Sequence, residues 1–328
     1  MFNALITEKV GEREFQTGLG QREIEDLPAG ELLIEVQYSS LNYKDALSAN
    51  GNPGVTRNFP HTPGIDAVGI VKESANDSFS VGDGVIVTGY DLGMETDGGL
   101  AEFIRVPATW ALPLPSGLSA RDAMVLGTAG LTAGLCVNKL LQAGATASEG
   151  KVVVTGATGG VGSVAVALLA KLGFDVVAST SKTSQHDLLK TLGASEIIDR
   201  ESLSEAQRKP VLKQQWQNAV DCVGGDTLVN LLKSLGHSGS VACCGLVGSA
   251  DLPATVLPFI LRDVNLLGVD SVEIPLAKKR HIWEKFSGDW KLECLDQLAT
   301  EIELAQVPEY LDRIMKGENI GRTVVRVK

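Results

Sequence analysis

With 328 residues the chain is long enough for two domains with separate cores. Forty acidic against 29 basic side chains give a net charge of −11, which argues against a nucleic-acid or anionic-membrane partner. MFNALITEKV lacks a basic-then-apolar layout, so no signal peptide is expected, and no apolar run reads as long enough to span a membrane.

Residues 1 to about 123 read as mostly β. LLIEVQYSSLN (Leu32–Asn42), DAVGIVKES and GDGVIVTG are strand-like, punctuated at Pro53-Gly54, Pro63-Gly64, Gly82-Asp83-Gly84 and Gly98-Gly99. This spacing predicts a compact barrel or sandwich, with helix only after Asn42 and from Arg121 onward. The character changes near residue 124. KVVVTGATGGVG (Lys151–Gly162) then reads as strand, glycine turn and helix start, because Val161, Val164, Ala165, Leu168 and Leu172 recur at helical spacing. Glycines at 156, 159 and 162 permit a tight turn and close approach of the backbone to a bulky anion. The helix start offers free N–H groups to a pyrophosphate, which makes Thr158, Gly159, Gly160, Val161 and Gly162 candidate cofactor contacts. No Gly-Lys-Ser/Thr ending follows, so a nucleoside-triphosphate loop is disfavoured; a ligand-free glycine turn is the plainer alternative.

Beyond the turn, DVVAS, EIID, AVDCV, SVACC and NLLGV alternate with helices over SQHDLLKTL, DTLVNLLKSL and TVLPFILRD. Together with Val152–Val154 they predict a six-stranded, doubly wound parallel sheet over residues 124–270. Gly245 and Leu246, just past SVACC, join the candidate cofactor contacts. The closing strand TVVRV (Thr323–Val327) is expected to return to the first domain, so 1–123 and 271–328 form one discontinuous domain. The five cysteines (Cys136, Cys222, Cys243, Cys244 and Cys294) are odd in number and lack Cys-x-x-Cys spacing. They read as small core residues of a protein in the reducing cytoplasm.

A sheet that favours NAD ends its second strand with an acid for the ribose 2′-OH. Here Asp175 opens that strand instead, and Ser181 and Lys182 occupy its far end, where they can donate to a 2′-phosphate. That pattern favours NADPH over NADH.

GATGGVG resembles the glycine turn of medium-chain dehydrogenases/reductases. Leu41–Asp45, Pro63–Asp66, Val81–Val85 and Gly321-Arg322-Thr323 follow in that family's order. SSLNYKDAL, RNFPHTPGID, GTAGLTA and LPFILRDVNLLGVDS are similar to the acrylyl-CoA reductase group of its zinc-free, quinone-oxidoreductase-like branch. The resemblance spans essentially the whole chain. It implies an α/β protein: a GroES-like β-rich catalytic domain and a Rossmann NADP-binding domain, with a cleft between them and a homodimer. It also places Asn42, Tyr43 and Asp45 at the catalytic position and Arg322 beside cofactor and substrate. Zinc members carry a Cys ahead of the Asp and a Gly-His-Glu, whereas this chain has Asn42 and Gly64-Ile65-Asp66, with four scattered histidines. The site therefore reads as metal-free.

Without a Lewis acid, conjugate reduction is easier than reduction of an isolated carbonyl, because enolate charge can be held by hydrogen-bond donors. Asn42, Tyr43 and Lys44 offer such donors, and one well-aimed donor can be worth about 3–4 kcal/mol. Plainer roles are Tyr43 packed on the nicotinamide, Lys44 as a solvated helix lysine and Asp45 anchoring the loop through backbone hydrogen bonds. An acyl-CoA brings phosphates, for which Arg322, Arg262, Arg57 and Lys278-Lys279-Arg280 are candidate cations, with Lys44 nearer the acyl end. The expected activity is NADPH-dependent reduction of the 2,3-double bond of a short enoyl-CoA such as acrylyl-CoA. An NADPH:quinone or generic enone reductase is the alternative, and a non-catalytic NADPH-binding sensor a more distant one.

Overall fold

A computed structural model describes residues 1–328, which form two compact units. The first comprises Met1–Thr128, Ser271–Asp289 and Leu298–Lys328. It opens with β1 (Phe2–Lys9) and β2 (Phe15–Arg22), an antiparallel pair, followed by β3 (Leu32–Ser40) and the short helix α1 (Tyr43–Ala49). Next come β4 (Asp66–Ser74), β5 (Gly84–Thr88), β6 (Phe103–Val106) and β7 (Ala111–Pro113).

Helix α2 (Ala120–Gln142) leads into the second unit, Ala129–Asp270 with Trp290–Gln297. Here β8 (Val152–Val154), α3 (Gly160–Lys171), β9 (Val176–Thr180), α4 (His186–Thr191), β10 (Glu196–Asp199) and α5 (Glu201–Ser204) alternate. β11 (Trp216–Asp221), α6 (Gly225–Ser234), β12 (Leu235–Cys243), α7 (Leu257–Arg262) and β13 (Asn265–Gly268) complete it. The chain then runs through α8 (Leu276–Ser287), α9 (Leu295–Leu298), β14 (Ala299–Glu303), α10 (Val307–Met315) and β15 (Arg322–Arg326). Trp290–Gln297 thus packs with the second unit, although sequence alone keeps all of 271–328 with the first.

The sheet of the second unit has the order β10-β9-β8-β11-β12-β13, every pairing parallel. This is the 3-2-1-4-5-6 order of a doubly wound dinucleotide-binding sheet. β8 and β9 are buried at every position, as a parallel sheet covered on both faces requires. Helix α3 buries all eight residues from Gly162 to Leu169. In the first unit, β14-β15-β3-β4-β5-β7 form one sheet, with β6 also paired to β3. Its core gathers Leu32, Ile34, Val36, Val71, Val85 and Ile104.

Helix α2 departs from expectation twice. It is long and apolar enough to cross a membrane, contrary to the sequence reading, but 83% of that apolar window is buried within the protein. It also breaks at Gly127, where φ is 51° and ψ is −155°. A Cβ there would lie 2.4 Å from Ser40 Oγ and 2.5 Å from Asp66 Oδ2, so only glycine lets the chain turn past these groups.

Candidate functional site

The glycine turn joins β8 to α3 in the second unit. Gly156 has φ of 59°, and a Cβ on Gly162 would lie 2.3 Å from the Gly156 carbonyl oxygen, so the helix starts directly against the strand end. Gly159 caps α3 without a side-chain hydrogen bond, and the first turn carries no acid. The turn therefore presents backbone N–H groups and the positive dipole end with nothing anionic in competition. Thr158 is buried, its Oγ1 3.3 Å from Thr180 Oγ1, while Gly159, Gly160 and Val161 are half-buried.

At the end of β9, Thr180 Oγ1 accepts the Lys182 N–H at 3.0 Å; Ser181 is exposed and Lys182 half-buried. Asp175, at the other end of the strand, accepts a hydrogen bond from the Ser195 hydroxyl. Gly245 and Leu246 follow β12. The Cys222 carbonyl occupies the space a Gly245 Cβ would need, and Leu246 is exposed. This set of residues can hold the pyrophosphate and adenosine end of a dinucleotide, with a lysine rather than an acid where the ribose 2′ position falls.

The first unit holds a second cluster around the start of α1. Asp66, fully buried, accepts from Ser40 Oγ at 2.7 Å, Asn42 Nδ2 at 2.7 Å and the Thr128 N–H at 2.9 Å on one oxygen. Thr128 Oγ1 donates to its other oxygen. The Arg322 guanidinium, 2% exposed, lies 3.9 Å from the same carboxylate. It donates to Val125 O at 2.9 Å, Leu41 O at 3.1 Å, Ser40 Oγ at 2.9 Å and Asn42 Oδ1 at 3.4 Å. Burial pushes the Arg322 pKa down, against the opposing pull of Asp66 and Asp45.

Asp45 is buried in the first turn of α1. Its oxygens accept the Asn42 N–H at 2.7 Å and the Ile65 N–H at 2.9 Å. Burial, reinforced by Asp66, raises its pKa to about 7 despite those bonds.

These contacts correct several assignments made from sequence. Asn42 spends both amide hydrogens on Asp66 and Ser40 O, so it positions the helix start and has no donor left for substrate. Asp45 likewise has both oxygens engaged by backbone and is closed off from solvent. Arg322 is a buried keystone, with its donors committed to protein oxygens, and has none free to clamp a phosphate. Arg262 donates to Lys233 O, Leu235 O and Leu212 O, which anchors α7 rather than a ligand. Lys279 is buried, donating to Thr88 O at 2.6 Å and Val272 O at 2.9 Å beneath Tyr90. Tyr43, 44% exposed on the first turn of α1, and half-buried Lys44 remain open. Of the cysteines only Cys136 is a core residue; the other four are half-buried, with Cys222 and Cys244 Sγ atoms 3.8 Å apart.

Sequence reasoning missed Ser40 and Thr128 and quoted Asp66 only for its place in a motif. The available signal was an acid opening the apolar strand Asp66–Val71, and an arginine opening Arg322–Val325. Buried charges must find one another or a full set of hydrogen bonds.

Residues 28–116 match the alcohol dehydrogenase GroES-like domain and residues 160–287 the zinc-binding dehydrogenase family. Acrylyl-CoA reductase AcuI of Ruegeria pomeroyi is 43% identical over 328 residues, covering 100% of this chain and 99% of that protein. YhfP of Bacillus subtilis, provisionally named a quinone oxidoreductase, is 46% identical over 331 residues, covering 100% of this chain and 99% of that protein. The YhfP crystal structure with NAD bound superposes with a TM-score of 0.96 over 99% of both chains. YhdH of Salmonella enterica in complex with NADP, 45% identical, also gives 0.96 over 99% of this chain and 100% of that one. With relatives matching end to end at this identity, the chain belongs to the medium-chain dehydrogenase/reductase superfamily.

Proposed function

We propose that this oxidoreductase uses NADPH to reduce the 2,3-double bond of a short enoyl-CoA, acrylyl-CoA foremost. The carrying observation is the end-to-end 43% identity with acrylyl-CoA reductase AcuI. The zinc of the matched family's description does not fit the residues here. No three His, Cys, Asp or Glu side chains gather to hold a metal. Asn42 and Ile65 stand where resemblance places ligands, and the Asp66 carboxylate is committed to protein donors.

The residues that would hold NADPH are the Gly156–Gly162 turn for the pyrophosphate, and Ser181 with Lys182 for the 2′-phosphate. NADPH, when bound, supplies the hydride for the β-carbon. The relative YhfP takes NAD in its crystal structure, so Lys182 is the feature of this chain that supports NADPH. Negative charge then spreads toward the thioester oxygen, where donors lower its energy. The α-carbon takes a proton from the Tyr43 hydroxyl or from water to give the saturated thioester. Tyr43 and Lys44, open on α1, are the groups assigned to face the reacting end of substrate. The Asp66–Arg322–Asn42 network acts behind them as a rigid mount. Five free thiols suit a reducing, cytoplasmic setting. A homodimer is supported by exposed Val256, Ile260 and Leu261 near β13, the edge strand of the parallel sheet.

Incubation with NADPH and acrylyl-CoA, with mass spectrometry of the product, tests the reading. Propionyl-CoA, formed equally well after prolonged chelation, is the expected result. An unchanged thioester, or activity that zinc alone restores, overturns it.

A further inference from the structure

We infer that the cavity at the far end of α1 holds the nucleotide end of an acyl-CoA, its adenosine 3′-phosphate 5′-diphosphate. This rests on the enoyl-CoA reading and adds to it a second subsite, entirely within the first unit.

The cavity has a volume of about 520 Å³ and is lined by Lys9, Arg13, Arg57, Phe15 and Phe59, with Asn50 at the C-terminal cap of α1. Three cations against one lining carboxylate, Glu12, make a local basic patch in a chain of net charge −11. Arg57 is tethered to Glu95 at 2.6 Å, while Lys9 and Arg13 are exposed and have no ion-pair partner. Phe15 and Phe59 form a tilted aromatic pair with centroids 4.8 Å apart. Cations for phosphate and an aromatic wall for a purine are the two chemistries that such a ligand needs.

Position supports the same occupant. Tyr43 and Asn50 bracket α1, whose seven residues span about 10 Å at about 1.5 Å per residue. An extended phosphopantetheine arm covers that distance, so a thioester beside Tyr43 can lay its nucleotide in the cavity. Arg322, Arg262 and Lys279 are committed to protein oxygens, whereas Lys9 and Arg13 are exposed beside an aromatic wall.

The test compares the native protein with a Lys9→Glu/Arg13→Glu double variant. Each is assayed with acrylyl-CoA and with the acrylyl thioester of N-acetylcysteamine, which lacks the nucleotide. The KM for acrylyl-CoA should rise by about tenfold or more while that for the truncated thioester moves less than about twofold. Equal rises for both substrates, or no rise for acrylyl-CoA, overturn the subsite while leaving the enoyl-CoA reading intact. Calorimetry with adenosine 3′,5′-bisphosphate at saturating NADPH gives a readout independent of turnover. Binding that the double variant loses is expected. Absence of binding to the native protein refutes the pocket, whereas failure to reduce either thioester refutes the enoyl-CoA reading.

Discussion

The Asp66 carboxylate accepts the Asn42 side-chain amide at 2.7 Å, so the residue that begins α1 is held from behind by a buried acid. Arg322 completes the arrangement by bonding Asn42 Oδ1 and the Leu41 and Val125 carbonyls. Neither charge has water to fall back on, so removing one partner leaves the other stranded.

Arg322→Ala should therefore cost about 3–5 kcal/mol of stability, read from urea unfolding midpoints. Arg322→Lys should recover little, since one ammonium cannot reproduce a fork reaching Val125 O, Leu41 O and Ser40 Oγ. A loss below about 1 kcal/mol for the alanine variant, in the range of a surface pair, contradicts the keystone role.

Asp45 makes stability depend on pH. Its pKa is raised from 3.8 to about 7, so between those values the unfolded chain has lost a proton that the native state keeps. Stability from this group is then greatest below about pH 4 and falls as pH rises toward 7, by roughly 4 kcal/mol at about 1.36 kcal/mol per unit. Asp45→Asn should flatten the decline between pH 5 and pH 8 in chemical denaturation. Parallel curves for native and variant protein would show that Asp45 does not titrate there.

The glycine turn gives a sharper steric test. A Cβ on residue 162 meets the Gly156 carbonyl oxygen at 2.3 Å, so Gly162→Ala must push α3 off the strand end. Affinity for NADPH, followed by fluorescence titration, should fall by about tenfold or more as the N–H cradle is displaced. Undiminished affinity would mean that the phosphates bind elsewhere.

Cofactor choice is assigned to the end of β9. Lys182→Glu should lower kcat/KM for NADPH by about tenfold or more, the worth of one charge-assisted contact, and spare NADH. Equal losses for both cofactors would remove Lys182 from the discrimination.

The doubly wound sheet was legible because its determinants are local. Buried apolar runs at β8 and β9, the glycine turn and the apolar helix α3 each declare themselves within a dozen residues. Asn42 and Tyr43 were legible as a motif, but not their roles. Arg322 bonds Leu41 O across 281 positions and Thr128 reaches Asp66 across 62, and no periodicity encodes such pairings. The break at Gly127 was hidden for the same reason: its cause is the crowding of Ser40, Asp66 and Arg322, not the helical pattern around it. Arg322, Arg262 and Lys279, assigned to phosphate as cations, proved to be structural donors, since sequence does not distinguish a solvated cation from one that caps carbonyls.

The central claim is conjugate reduction of an enoyl thioester, and the most direct measurement is kcat/KM with NADPH for acrylyl-CoA and for a benzoquinone on one preparation. Acrylyl-CoA should be preferred by about a hundredfold or more, because its nucleotide tail adds binding energy that a quinone cannot recruit. Efficient quinone turnover, with acrylyl-CoA no better than background, would contradict the account.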